Sequence, residues 1–382
     1  MGDADHFSAD YRTARARFRT AAAGRGAATE AFSTAAGTAD LTIDAAVLGT
    51  DRPRRLLIVT SGLHGVECFF GSAVQLALFA DTLTTYRLPG GAAIVLLHAL
   101  CPFGFDQLRR TNEDNVDLNR NFLKPGEKYT GSPPGYADLE PLLNPARPPS
   151  RWDLFAPRLY LTGIIRGNRA VRSAIAGGQY EYSRGLFYGG SGPAATHRIL
   201  AEQLPRWTDS AERIVHVDFH TGLGRWATYK VLTARGENDP ATGTLRSWFG
   251  PAVEAAGTGP TAYKNRGGID EWLEDRLADR ECYSVCAEFG TYGPLAVLSA
   301  LRAENQAHHW AKTSERPEPD APARETGSLA GALGSGWKGG TVGLAKRRLC
   351  EVFAPKERDW RRAVVRQGVA IVRQALEACF AK

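Results

Sequence analysis

The sequence predicts an α/β fold whose central sheet contains parallel strands. Two observations carry this. Residues 54–100 read strand, glycine-punctuated loop, helix, strand, the order of a parallel crossover unit. Two later apolar runs, IVHVDFHTGLG (214–224) and YSVCAEFGTYG (283–293), each end in polar residues and glycine. Ligands of open α/β sheets sit at such carboxyl ends.

Taken in order, the Arg-rich residues 12–25 read as an exposed amphipathic helix rather than an organelle-targeting one. LTIDAAVLGTD (41–51) is a strand ending in a turn. RRLLIVTSGLHGVE (54–67) is a buried strand running into a loop, FFGSAVQLALFADTL (69–83) has helical length and spacing, and AAIVLLHAL (92–100) is a second buried strand. Residues 123–160 are rich in Pro and Gly, but Tyr, Trp and Leu recur, which predicts a long ordered excursion. Residues 164–178 read as a helix. After 214–224 come further strands at 229–234 and 283–293, then helices at 295–311 and 359–380. Residues 314–340 are low in core formers and rich in Gly, Pro and charge, which predicts a flexible loop. No internal repeat is visible.

The chain has 382 residues, enough for two or three domains or for one large α/β domain with insertions. At 43% hydrophobic and 23% charged residues, wholesale disorder is excluded. A net charge of +6 without a dense Lys/Arg block argues against a nucleic-acid partner. No run is expected to reach the roughly 18 apolar residues of a membrane helix, so no membrane partner is expected. The first residues lack a signal-peptide core and, with His6, the myristoylation pattern, so the expected address is cytoplasmic. Six cysteines make no disulfide framework, and Cys282 and Cys286 have no second pair, so reduced core thiols are expected.

Four segments carry chemistry. His64 and Glu67, just past a strand end, form an H-x-x-E pair able to offer an imidazole and a carboxylate to one metal ion. By itself such a pair is common. His220, at another strand end, makes a set of two His and one Glu with a fourth position open, the arrangement of catalytic zinc. On the same strand His216 shares its face by alternation, where a hydrogen-bonded core histidine is the simpler reading. RRTNEDNVDLNRNF (109–122) is dense in polar groups. Asn119 and Arg120 could grip a carboxylate, Arg110 could polarise a carbonyl, and Asp117 could accept the second ring N–H of a metal-bound histidine. A solvated turn with a salt bridge would read alike. Glu288 follows the apolar YSVCA, where desolvation raises a carboxyl toward general-base range, although a paired structural Glu is the commoner case.

Together HGVE, R-x-N-x-x-N-V-D-L-N-R-N-F, D-F-H-T and A-E-F-G, in this order, resemble the zinc carboxypeptidase superfamily of carboxypeptidase A/B type. GGQYEYSRGLFYGG (177–190) and LCEVFAPKERDW (349–360) resemble a bacterial branch of it known only as a domain of unknown function. The superfamily resemblance covers residues 40–300 and the branch resemblance nearly the whole chain. It implies one zinc ion held by His64, Glu67 and His220, with Glu288 as general base and Arg110 on the scissile carbonyl. Asn119 and Arg120 would hold the substrate carboxylate, and Asp117 would support the first histidine. YKNRGGID (263–270) looks like the family's mobile tyrosine loop, making Tyr263 the candidate phenol and placing Ile269 and Asp270 near the side-chain pocket. Its distance to Glu288 is a few residues longer than usual in the family.

Strand pattern and resemblance together predict one catalytic domain over 1–382, with a mixed, twisted sheet of about eight strands and helices on both faces. An insertion at 123–200 would cover the cleft and favour small substrates. The expected activity is zinc-dependent hydrolysis of an amide next to a free carboxylate, carboxypeptidase-type, on a small peptide. The alternative is an N-acyl amino acid deacylase of the succinylglutamate desuccinylase/aspartoacylase type. A catalytically silent binding protein would have lost a ligand or the base, and none is lost here. Oligomeric state is not legible.

Overall fold

A computed structural model describes residues 2–34, 40–150, 152–258, 265–310 and 340–381. The strands are β1 (Ala28–Ser33), β2 (Thr42–Gly49), β3 (Arg55–Ser61), β4 (Ala92–His98), β5 (Arg213–Thr221), β6 (Tyr229–Thr233), β7 (Val253–Ala255) and β8 (Glu281–Phe289). The helices are α1 (Tyr11–Ala23), α2 (Cys68–Ala80), α3 (Thr82–Thr85), α4 (Pro102–Asp106), α5 (Tyr136–Leu143), α6 (Phe155–Arg166), α7 (Asn168–Ala176), α8 (Ala195–Thr208), α9 (Pro240–Phe249), α10 (Ile269–Arg276), α11 (Pro294–Trp310), α12 (Thr341–Phe353) and α13 (Arg358–Phe380).

Among the described residues the strands form one eight-stranded mixed sheet in the order β1-β2-β4-β3-β5-β8-β6-β7. The four central strands, β4, β3, β5 and β8, are mutually parallel, and antiparallel pairs flank them. Strand β5 shows why the sequence folds this way. Val215, Val217 and Phe219 alternate with His216, Asp218 and His220, and all six are buried. The apolar set faces a core shared with α2 and α13, through Phe70, Val74, Trp360 and Val364. The opposite face packs on α8 and α10 through Leu200, Leu204, Trp272 and Leu273. Two-sided burial is what lets parallel strands read as near-continuous apolar runs. The predicted fold class, an α/β mixed sheet with helices on both faces, is the one found.

Helix α2 corrects one expectation. The stretch Gly65–Thr85 is long and apolar enough to cross a membrane by length and composition, and 83% of its apolar window is buried inside the fold. It is apolar all round because the sheet, α1 and α13 enclose it.

The predicted helix at 164–178 is two helices. Gly167, at φ 86°, ends α6 and starts α7. The predicted loop at 314–340 lies, except for Gly340, outside the described residues. Edge strand β1 was not anticipated: five of its six residues are exposed, so it carries no apolar alternation.

Candidate active site

Three neighbouring parallel strands place the site. His64 follows β3, His220 is the penultimate residue of β5, and Glu288 is the penultimate residue of β8. His220 and Glu288 are partners in the β5–β8 register, so their side chains leave the same face about 4.8 Å apart along the sheet. The SGLHG loop brings His64 in. Gly62 takes φ 70°, and a Cβ on Gly65 would lie 2.1 Å from the Gly104 carbonyl carbon. This backbone approach seats the turn that carries Glu67.

The Nδ1 atoms of His64 and His220 are 3.1 Å apart. His64 Nδ1 is 2.9 Å from Glu67 Oε1, and His220 Nδ1 is 3.2 Å from Glu67 Oε2. Tetrahedral ligands at zinc bond lengths of about 2.0–2.1 Å stand roughly 3.3 Å from one another. The three groups therefore already sit at the spacing of one face of a zinc tetrahedron, and the donor set fits the ion. All three side chains are buried, between 1% and 3% exposed.

Each imidazole is backed on its other nitrogen by a carboxylate. His64 Nε2–H donates to Asp117 Oδ1 at 3.0 Å, and His220 Nε2–H donates to Asp218 Oδ2 at 2.6 Å. Such bonds fix the tautomer that leaves Nδ1 to bind metal. The Asp117 partnership was expected and the Asp218 one was not, although its signal was present: Asp218 lies two residues before His220 and shares its face. Asp218 is held in turn by the Thr60 hydroxyl at 2.6 Å. His216, on the same face, bonds Thr60 and Ser284 hydroxyls at 2.9 and 2.7 Å, the core role expected of it.

The charges fall in a consistent pattern. Burial pushes Glu67 up, but His64, His220 and Arg110 outweigh it and hold its carboxyl below the ordinary range. Asp117 is likewise buried and held well below that range by Arg110, His64 and Arg120. Burial lowers His220, yet Asp218 and Glu67 hold it well above its usual value. Glu288 goes the other way. Burial first, and repulsion from Glu67 second, push it up to about 7. A carboxyl near neutrality can both take a proton from water and return it. The Leu223 N–H donates to its Oε1 at 2.8 Å and fixes its orientation.

Arg110 reaches into the cluster, donating through Nη1 to Glu67 Oε1 at 2.8 Å and through Nε to Asp117 Oδ2 at 3.0 Å. The adjacent Arg109 turns away to a buried ion pair with Glu304 at 3.0 Å, joined by Lys346 at 3.0 Å. Phe187, unremarked in the sequence, places its ring 5.7 Å from the Arg110 guanidinium carbon and 5.6 Å from that of Arg120.

These groups open into a cavity of about 810 Å³. Its lining includes His64, Glu67, Arg110, Asn119, His220, Asn265, Asp270 and Glu288, together with Ile269. Asn119 Oδ1 accepts the Ile269 N–H at 3.2 Å, so this amide also holds the start of α10. Arg120 departs from expectation because it does not line the cavity. It is fully buried, and its guanidinium donates to the carbonyls of Ala176, at 3.1 and 2.7 Å, and Asn119, at 2.7 Å. Those bonds pin α7 behind the site. Tyr263 lies outside the described residues. Cys286, expected as a core thiol, instead lines the cavity, and its ligand atom stands within 4.8 Å of His220 and Glu288. Helices α6 and α7, from the 123–200 stretch, also line the cavity.

A family model described as "Protein of unknown function (DUF2817)" matches residues 7–367. It meets the expectation of a branch known only as a domain of unknown function. No curated protein matches the chain. Among solved structures, the chain is similar to bovine thrombin-activatable fibrinolysis inhibitor, solved in complex with tick carboxypeptidase inhibitor. The identity is 11% and the TM-score 0.46, over 90% of this chain and 97% of that one. Similarity to carboxypeptidase A from Helicoverpa armigera has 11% identity and a TM-score of 0.47, over 86% and 74% of the two chains. An aspartoacylase family protein from Mesorhizobium loti shows 14% identity and a TM-score of 0.38, over 74% and 66%.

Proposed function

The chain belongs to the DUF2817 family, and we propose that it is a zinc-dependent hydrolase of an amide bond next to a free carboxylate. The observation that carries this reading is the buried His64, Glu67 and His220 set, each imidazole backed by an aspartate, beside a carboxyl of near-neutral pKa. His64, Glu67 and His220 would hold the ion. When bound, zinc supplies a Lewis-acid centre and lowers the pKa of water toward about 7. Glu288 accepts a proton from the attacking water and delivers it to the departing amine. Arg110 donates to the oxygen on which negative charge develops, and losing one such donor typically costs about 10²–10³ in rate. Asn119 presents its amide toward the substrate carboxylate, with the Arg120 charge behind it.

Two substrate forms satisfy this chemistry, a peptide C-terminus and an N-acyl amino acid. Carboxypeptidase action is the first form. Deacylation is favoured by one specific observation, that α6 and α7 line the cavity with the apolar side chains Ala156, Leu159, Val171 and Ile175. Product mass spectrometry on the zinc-loaded protein tests both, using short peptides and N-acyl amino acids with Glu288→Gln as blank. Loss of single C-terminal residues makes it a carboxypeptidase, and cleavage of N-acyl amino acids alone makes it a deacylase. No Glu288-dependent product from either class refutes the reading.

A further inference from the structure

The cavity lining combines two chemically different sets of side chains. Besides the polar groups near the catalytic residues, its lining includes Ala156 and Leu159 of α6, Val171 and Ile175 of α7, and Leu298 and Leu301 of α11, with Asn168 and Arg172 of α7 as polar neighbours. None of the first six side chains carries a polar atom. Tyr160 of α6 also lines the cavity and is 72% exposed. Beyond it α6 leaves Leu161, Ile164 and Ile165 exposed, so a helix of 12 residues has only Phe155 and Gly163 buried. The six apolar side chains form an apolar track in the same cavity as the catalytic groups.

A peptide backbone laid on that track would lose water partners at each amide without replacing them. A hydrocarbon chain would gain at every carbon. We propose that the acyl group removed by this hydrolase is a medium or long unbranched hydrocarbon chain, so that the substrate is an N-(fatty acyl) amino acid. This rests on the deacylase form of the reading above. The carboxylate lies at the Asn119 end, the amide lies beside Glu288, and the tail follows α6, α7 and α11 toward Tyr160. The reaction is a plain hydrolysis. The acyl carbon–nitrogen bond breaks, the water oxygen joins the acyl carbon, and a water proton goes to nitrogen, giving a fatty acid and a free amino acid. A volume of about 810 Å³ is in the range of pockets that enclose ligands of this size, roughly 300–1,000 Å³.

The test is a chain-length series on one amino acid, with acyl groups from acetyl to dodecanoyl. It reads kcat/KM on the zinc-loaded protein and, separately, calorimetric affinity on Glu288→Gln. Both should rise about fourfold per methylene, equivalent to about 0.8 kcal/mol, until the track is filled. Leu159→Asp should flatten the slope, while Leu344→Asp, an exposed apolar position on α12 outside the cavity lining, should leave it. Cleavage of short acyl groups with a flat or falling slope overturns the tail proposal and leaves the deacylase reading standing. Absence of cleavage at any length overturns the deacylase reading, and the affinity series then decides the track. Equal affinity for acetyl and dodecanoyl forms overturns it.

Discussion

Replacing Glu304 by Gln removes the one carboxylate shared by two buried cations. Arg109 and Lys346 each reach it at 3.0 Å, and all three side chains are at most 5% exposed. Burial pushes Glu304 up, but the two cations outweigh it and hold its carboxyl at about 2 against an ordinary 4.5. At neutral pH that difference stabilises the fold by about 3 kcal/mol. Removing one partner of a buried ion pair costs a similar amount, about 3–5 kcal/mol. A chain of 382 residues unfolds with an entropy of about 0.8 kcal/mol/K, so Glu304→Gln should melt about 4–6 °C lower at pH 7. Burial also lowers Lys346 to about 8 from 10.5, so its proton is disfavoured in the fold. In the native protein, stability should therefore rise between pH 8 and 10.5. Glu304's contribution should be lost as pH falls from 4.5 to 2. The deficit of Glu304→Gln should shrink at pH 10, where Lys346 is neutral. Scanning calorimetry across pH reads all of this. An unchanged melting temperature at pH 7, or a deficit that grows at pH 10, would refute the argument.

Four further outcomes follow from the same geometry. Asp218→Asn should weaken zinc binding about 10–100-fold in a chelator competition, because His220 loses the charged acceptor that orients it; wild-type affinity would remove that role. Gly65→Ala drives a Cβ into the Gly104 backbone and should lower both the melting temperature and zinc content, whereas a neutral effect would contradict the close approach. Arg120→Ala should destabilise the fold, since the Ala176 and Asn119 carbonyls lose their donors. A change confined to KM would instead place its guanidinium on the substrate. His64→Ala should abolish stoichiometric zinc by elemental analysis, and full occupancy would sink the ligand assignment.

Much of the site was legible because its signals are local. Period-two alternation in VHVDFHT marks one polar face, and strand ends followed by glycine mark the carboxyl edge of the sheet. What stayed hidden depends on packing across the chain. The Nε and Nη2 donors of Arg120 are taken by Ala176, 56 residues away, and nothing in N-R-N-F reports that. Cys286 reads as a core thiol in YSVCAEF, but register with Asp218 turns it toward the cavity. Strand β1 pairs with β2 but leaves five of its six residues exposed, so its side chains carry no apolar pattern. Helix α8 carries Leu200, Leu204 and Trp207 at helical spacing, a local signal for a helix that the sequence reading did not include.

The most direct test of the account is one paired measurement, zinc content and amide turnover in Glu288→Gln. The account predicts about one zinc per chain, as in the wild type, with turnover of the best wild-type substrate lost. Wild-type turnover in a zinc-loaded Glu288→Gln protein, or a wild-type protein that binds no zinc, would contradict it.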